Sequence, residues 1–266
     1  MTRLQAWLRR LVILFLRLAP VRWCERIIYA LAAGRAQGLP PAEALRFLFR
    51  LDQALYHLQG ERAIAYGDGL HPKHRLMRYH DFFVTQIHPG ERVLDIGCGI
   101  GAVAHDVAAQ TGAEVTGIDH NAEQIAQARA RFAHPRLRFV IGDALDDLPA
   151  EPYDVVILSN VLEHLGDRVG FLRRLAERVR PARYLVRVPL FERDWRVPLK
   201  EELGVDYRLD PTHRVEHRLD ALHQELAEAG LAVQSEAVRW GEIWCVGVPA
   251  TARRTPSAPL AQATHG

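Results

Sequence analysis

The stretch VLDIGCGIG, residues 93–101, decides the fold. Strand-forming and apolar residues run into Asp95, glycines follow at 97, 99 and 101, and a helix-compatible run begins at Ala102. A strand that ends in a glycine-dense turn and re-emerges as a helix lets backbone approach a ligand too closely for any β-carbon. This is the geometry of a nucleotide-type pocket at the carboxyl edge of a parallel sheet. Asp95, taken as part of the turn, would repel a diphosphate but suits a ligand that carries an ammonium and a sulfonium. The same carboxylate, with the G97-x-G99-x-G101 spacing, argues against a nicotinamide-dependent oxidoreductase.

Outward from this turn the pattern is regular. Strands are expected at Arg92–Ile96, Glu114–Ile118, Arg138–Ile141, Asp154–Leu158 and Tyr184–Val188, with helices over 102–110, Ala122–Arg131 and Arg168–Val179. Such alternation means a parallel sheet with right-handed crossovers. After Pro189 the pattern breaks until Arg218, which reads as a structureless, substrate-covering insertion over 191–218. A helix over Leu219–Ala229 and strands near Leu231–Val238 and Glu242–Val248 complete the sheet. Residues 1–70 read as a helical extension, 71–249 as the main domain, and 250–266 as a disordered tail. Just before the first strand, AYGDGLHPKHRLMRYHDFF (65–83) crowds histidines and aromatics into one short segment.

The bulk properties are those of a soluble globular protein, with 48% hydrophobic and 25% charged residues. Cys24, Cys98 and Cys245 are scattered without C-x-x-C spacing, which disfavours a disulfide framework or zinc-thiolate site and suggests a reducing, cytoplasmic setting. A formal charge of +2 is too small to suggest a nucleic-acid substrate. Residues 1–26 hold six arginines against one acid, Glu25. Leu4, Leu8, Leu11, Phe15 and Leu18 share one helical face, and Arg3, Arg10 and Arg17 another. Such a helix suits peripheral contact with an anionic membrane, or packing against protein, a sister subunit of a homo-oligomer included.

Asp119 ends the second strand about 20 residues past the glycine turn, where dinucleotide folds place a carboxylate on ribose hydroxyls. Asp143 and Ala144 follow the third strand in IGDA, and the fourth strand continues as YDVVILSNVLEHL (153–165). With these motifs the chain resembles the class I S-adenosylmethionine-dependent methyltransferases. The resemblance implies a seven-stranded, mostly parallel, Rossmann-like sheet with S-adenosyl-L-methionine as cofactor. It assigns cofactor binding to Asp95, Gly97, Cys98, Gly99, Gly101, Asp119, His120, Asp143, Ala144, Ser159 and Asn160. Within it, Asp143 and the Ala144 amide face the adenine, Ser159 and Asn160 face the methionyl part, and Glu163 and His164 sit at a helix start beside the transferred methyl.

A second cluster, YRLDPTHRVEH (207–217), makes the chain similar to the small-RNA 2′-O-methyltransferases, in which a glutamate-x-x-glutamate-histidine run and a distant histidine hold a divalent metal. Glu163, His164 and His213 match that set, while Asn160 stands where the first glutamate would be. The loss of one anionic ligand disfavours magnesium, so no metal is assigned, and Glu163, His164 and His213 are the residues that would hold one. The catalytic residues are then His164, His213 and Glu163, with one histidine as base and the other orienting the substrate. The expected activity is O-methylation of a small-molecule, glycan or lipid-like acceptor. N- or C-methylation, cyclopropane-type lipid modification and a non-catalytic methyltransferase-like binding module are the alternatives.

Overall fold

The structure, a computed structural model, describes residues 3–250. The tail expected over 250–266 lies, apart from Ala250, outside the described residues, as do the side chains of Arg3, Leu4, Leu8 and Leu11. The chain divides into two compact units, Met1–Gly69 with Leu199–Tyr207, and Leu70–Pro198 with Arg208–Gly266.

The first unit is helical: α1 (Arg3–Leu18), α2 (Val21–Gln37) and α3 (Pro41–Tyr66). Residues 1–26 are thus not one helix. Pro20 lacks an amide and restricts Ala19, so α1 stops at Leu18 and α2 restarts at Val21. α3 starts with Pro41 at its first position, where a missing amide costs nothing. Phe49 on α3 is buried, and the Lys200 ammonium lies 5.5 Å from its ring centroid.

In the second unit, α4 (Lys73–Met77) and α5 (Tyr79–Thr85) meet at Arg78, which takes the left-handed conformation (φ +51°). The core then alternates β1 (Arg92–Ile96), α6 (Ala102–Thr111), β2 (Glu114–Asp119), α7 (Ala122–Arg131), β3 (Leu137–Ile141), β4 (Val155–Ser159), α8 (Arg168–Arg178) and β5 (Arg183–Pro189). A 3₁₀ turn at Phe191–Arg193 follows, α9 (Arg196–Glu202) begins in this unit and ends in the first, and α10 (Leu219–Glu228), β6 (Leu231–Arg239) and β7 (Glu242–Pro249) complete the second. The 191–218 insertion is therefore not structureless. Pro198 is tolerated in the first turn of α9 because its amide would have no helical partner.

The seven strands are ordered β3-β2-β1-β4-β5-β7-β6, with the first five parallel and β7 antiparallel to both β5 and β6. The order reverses between β1 and β4, so a crevice opens at the carboxyl ends of these two strands. Alternation along the central strands separates two cores. Leu94, Ile96, Val156 and Leu158 pack towards α8 and α10, while Val93, Val155 and Ile157 pack with Val103, Val107 and Ile125 of α6 and α7. Both faces of the sheet are covered, as a parallel sheet requires.

Candidate active site

The glycine turn sits at the switch point. Gly97, Gly99 and Gly101 have φ of +66°, +54° and +80°, a region that favours glycine. Gly101 has a second constraint, because a β-carbon there would fall 2.4 Å from Phe139 Cζ. The amides of Gly97 and Cys98 both donate to the Ile118 carbonyl, at 2.8 and 3.1 Å. Asp119 ties the turn to β2: its Oδ2 accepts from the Gly99 amide at 2.9 Å and its Oδ1 from the Asn121 amide at 2.8 Å. Asn121 caps α7 by accepting from the amides of Glu123 and Gln124, which leaves Asp119 free of the capping role.

Asp95 lies in the interior of β1, paired with Gly117 and Ile157, and not in the turn. The strand runs one residue past it, to Ile96, before the first positive φ at Gly97. Its carboxyl is fully buried and, among the described residues, Oδ2 has no hydrogen-bond partner. Burial, reinforced by the Asp119 charge and opposed by the Ala104 amide, pushes its pKa up to about 8. Cys98 is half-buried with its sulfur against Gly117, and burial pushes its thiol up. His120 is exposed, with Nδ1 3.7 Å from Asp119 Oδ1. Beyond β3, Asp143 is exposed and accepts from the Leu145 amide at 2.8 Å, and Ala144 packs on the core.

At the end of β4 the chain turns sharply. Asn160 is left-handed (φ +58°), a conformation asparagine tolerates better than most residues. Its Nδ2 donates to Glu163 Oε1 at 2.7 Å, and its Oδ1 accepts from Arg187. Glu163 and His164 belong to a 3₁₀ turn, Leu162–His164, and not to the start of a helix, because α8 begins only at Arg168 under the Asp167 cap. Arg187 is one residue of the site that the sequence did not single out. This guanidinium, 2% exposed, pairs two-pronged with Glu242, donates to Ser159 and lies 3.7 Å over the Tyr79 ring. An arginine inside the apolar run RYLVRVP is the signal that could have found it.

The 207–217 segment is stitched onto the same edge. Backbone amides of Arg214 and Val215 donate to the Glu163 carbonyl, which brings His213 beside His164 with ring centroids 4.7 Å apart. His213 Nδ1 is 2.9 Å from Glu216 Oε1, and Glu216 also accepts from Arg193 and the Leu209 amide. Because a carboxylate only accepts, the neutral His213 ring carries its proton on Nδ1 and its lone pair on Nε2. His164 reaches the same tautomer: Thr212 Oγ1 donates to Asp210, so it accepts from His164 Nδ1, 2.9 Å away. Burial and nearby His213 lower the His164 pKa, and burial raises that of Glu163, whose Oε2 has no partner among the described residues. One donor atom from each of Glu163, His164 and His213 falls within 4.8 Å of the others. Glu216, Thr212 and Arg193, which orient these histidines, were not among the expected residues.

A family model described as a methyltransferase domain matches residues 93–182. Over 158 residues the chain is 32% identical to the ubiquinone biosynthesis O-methyltransferase of Rhodopseudomonas palustris (strain BisA53), covering 56% of this chain and 61% of that relative. The chain thus spans about three fifths of that relative's length. Among solved structures, TnmH is 25% identical with a TM-score of 0.52, over 86% of this chain and 68% of its own. The magnesium protoporphyrin IX methyltransferase of Synechocystis PCC 6803, solved with bound SAH, is 20% identical with a TM-score of 0.52, over 64% and 82%. At that identity the likeness is one of fold. With the glycine turn and the β1–β4 switch point, these matches identify residues 93–182 as a methyltransferase domain.

Proposed function

We propose that the protein transfers the methyl group of S-adenosyl-L-methionine to a hydroxyl of a small acceptor. The observation that supports this most is the meeting, at one sheet edge, of a glycine turn backed by Asp95, whose Oδ2 is unpartnered among the described residues, with a Glu163–His164–His213 cluster carrying open lone pairs. The orphaned Asp95 Oδ2 fits a ligand bearing an ammonium and a sulfonium. Asp119 has spent one lone pair of each oxygen on backbone amides and keeps the others for ribose hydroxyls. Exposed Ile141 and Leu145 flank Asp143, where an adenine needs apolar walls beside an acceptor for its amino group. Gly97, Cys98, Gly99 and Gly101 supply backbone, His120 stands beside the ribose position, and Ser159 and Asn160 meet the methionyl chain.

Methyl transfer is an in-line displacement at an activated carbon, so the protein's main work is alignment, which supplies about 7–11 kcal/mol. His164 and His213 hold the acceptor hydroxyl through their Nε2 lone pairs. Glu163, His164 and His213 also fit a divalent cation, with two imidazoles and a carboxylate whose Oε2 is otherwise orphaned. Such an ion would polarise the acceptor oxygen. The similarity to ubiquinone biosynthesis O-methyltransferases supports an oxygen nucleophile. Calorimetry with S-adenosylhomocysteine and a chelator-controlled assay on hydroxyl acceptors test this reading. Absent binding, or binding without turnover on any hydroxyl, would refute it.

A membrane-borne acceptor also fits the first unit. Trp7, Leu14, Phe15, Leu18 and Trp23 are exposed between Arg10, Arg17, Arg22 and Arg26, although no helix among the described residues is long and apolar enough to cross a membrane. Sedimentation with anionic vesicles, lost on deletion of residues 1–26, is the expected result. Dissociation of an oligomer by the same deletion would favour a protein contact.

A further inference from the structure

The segment before β1 brings a hydrogen-bonded chain to the same sheet edge. Tyr79 Oη lies 2.7 Å from His74 Nδ1, His74 Nδ1 lies 2.8 Å from His80 Nε2, and His80 Nδ1 lies 2.6 Å from Asp106 Oδ2. Tyr79 and His80 are buried, whereas His74, at the open end of the chain, is half-buried. Arg187 covers the Tyr79 ring and bonds to Ser159 and Asn160, so the chain abuts the end of β4, from which Glu163 and His164 follow.

Two proton arrangements fit these distances. In the first, His80 donates from Nδ1 to Asp106 and accepts at Nε2 from His74 Nδ1–H, which leaves a lone pair on His74 Nε2. In the second, His80 is an imidazolium that donates to both Asp106 and His74 Nδ1, and His74 carries its proton on Nε2. The two differ by one proton, and no heavy atom has to move. The Tyr79 oxygen, 2.7 Å from Nδ1 and 3.3 Å from Nε2, can accept from Nδ1–H in the first arrangement, which keeps the Nε2 lone pair open.

We propose that His74 is the general base for the acceptor hydroxyl, with His80 and Asp106 as positioning residues that draw the proton inward. This rests on the methyl-transfer reading above. As the O–CH₃ bond forms and the S–CH₃ bond breaks, the electron pair of the broken bond stays on sulfur. The hydroxyl proton moves to His74 Nε2, the His74 Nδ1 proton moves to His80 Nε2, and the positive charge comes to rest beside Asp106.

The surroundings favour this direction. Burial, with His80, Lys73, Arg187 and His71 adding to it, holds His74 down to about 3, so His74 passes a proton on and does not keep it. The His80 hydrogen bond holds the Asp106 carboxyl below its usual range. From α6 the only other titratable group facing Asp106 is His105, with Nδ1 3.2 Å away. Among the described residues Asp106 pairs only with histidines, whereas Arg193 already balances Glu216 behind His213. The unspent negative charge therefore lies behind His74, which leaves His164 and His213 to orient the acceptor.

Turnover on phenols of graded acidity, with His74→Asn and Asp106→Asn variants beside the parent chain, tests the relay. Asp106 is half-exposed on α6, so its variant is the one expected to keep the fold. Both variants should lose ~10²-fold in kcat on a weakly acidic phenol, and stay within about twofold of the parent on a phenol already ionised at the assay pH. Cofactor affinity should not change. An equal deficit across all acceptors, or none on any, would overturn the relay. If the parent methylates no hydroxyl at all, the methyl-transfer reading has failed. The relay is then read from imidazole ¹⁵N shifts in the protein alone: neutral His74 should carry its proton on Nδ1 and leave Nε2 unprotonated, and a proton on Nε2 of neutral His74 would overturn it.

Discussion

Asp95 makes a sharp thermodynamic prediction. Its carboxyl is buried with Oδ2 unpartnered, and burial with the Asp119 charge pushes its pKa up to about 8 from 3.8. In the free protein at pH 6 this group is therefore neutral, and ionising it costs about two pKa units, or ~2.7 kcal/mol. A cofactor that brings an ammonium and a sulfonium to the turn draws the carboxylate into its charged form. Binding should then release close to one proton at pH 6, and affinity for S-adenosylmethionine should rise about tenfold per pH unit up to pH ~8. Calorimetry in two buffers of different ionisation enthalpy reads the proton directly. Asp95→Asn should bind with neither proton release nor pH slope. Buffer-independent heats in the parent chain, or an unchanged slope in the variant, would refute the reasoning.

Further outcomes follow from the same geometry. Because the folded pKa of Asp95 is raised, its contribution to the stability of the free protein is greatest below about pH 4 and is lost as pH rises towards 8, so Asp95→Asn should flatten that decline in a thermal-melt series. Gly101→Ala would set a β-carbon against Phe139 at a left-handed φ, and denaturant melts should show a loss of about 2–4 kcal/mol. Arg187→Met removes a guanidinium that holds Glu242, Ser159 and Asn160, and a loss of about 3–5 kcal/mol is expected, with Glu242 left without its cation. His213→Ala should cut turnover by roughly 10²-fold or more with cofactor affinity intact. If a cation fills the cluster, chelator abolishes activity and manganese restores it. Full activity under both treatments would leave Glu163, His164 and His213 structural.

Local order carried most of what the sequence revealed. The glycine turn, Asp119 at the end of β2 and the βα alternation are written in contiguous residues, each with its own turn or strand chemistry. The strand forms over the expected Arg92–Ile96, and pairing to β2 and β4 on both sides keeps Asp95 within it, so only the reading of its carboxylate as part of the turn fails. The partners that tune the site are non-local and could not be read in this way. Glu242 lies 55 residues beyond Arg187, and Asp106 stands 26 beyond His80 on a helix face that reads as solvent-exposed. Glu216 was visible in YRLDPTHRVEH, but only the fold shows it turned onto His213. α9 hid behind Pro198, a residue that argues against helix anywhere except the first turn.

The most direct test of the central claim is to follow the methyl group. The protein, incubated with S-adenosylmethionine carrying a ¹³C-labelled methyl and a set of phenols, should yield a ¹³C methoxy resonance together with S-adenosylhomocysteine in equal amount. Label on carbon or nitrogen, or cofactor bound at the glycine turn with no transfer to any acceptor, would contradict the account.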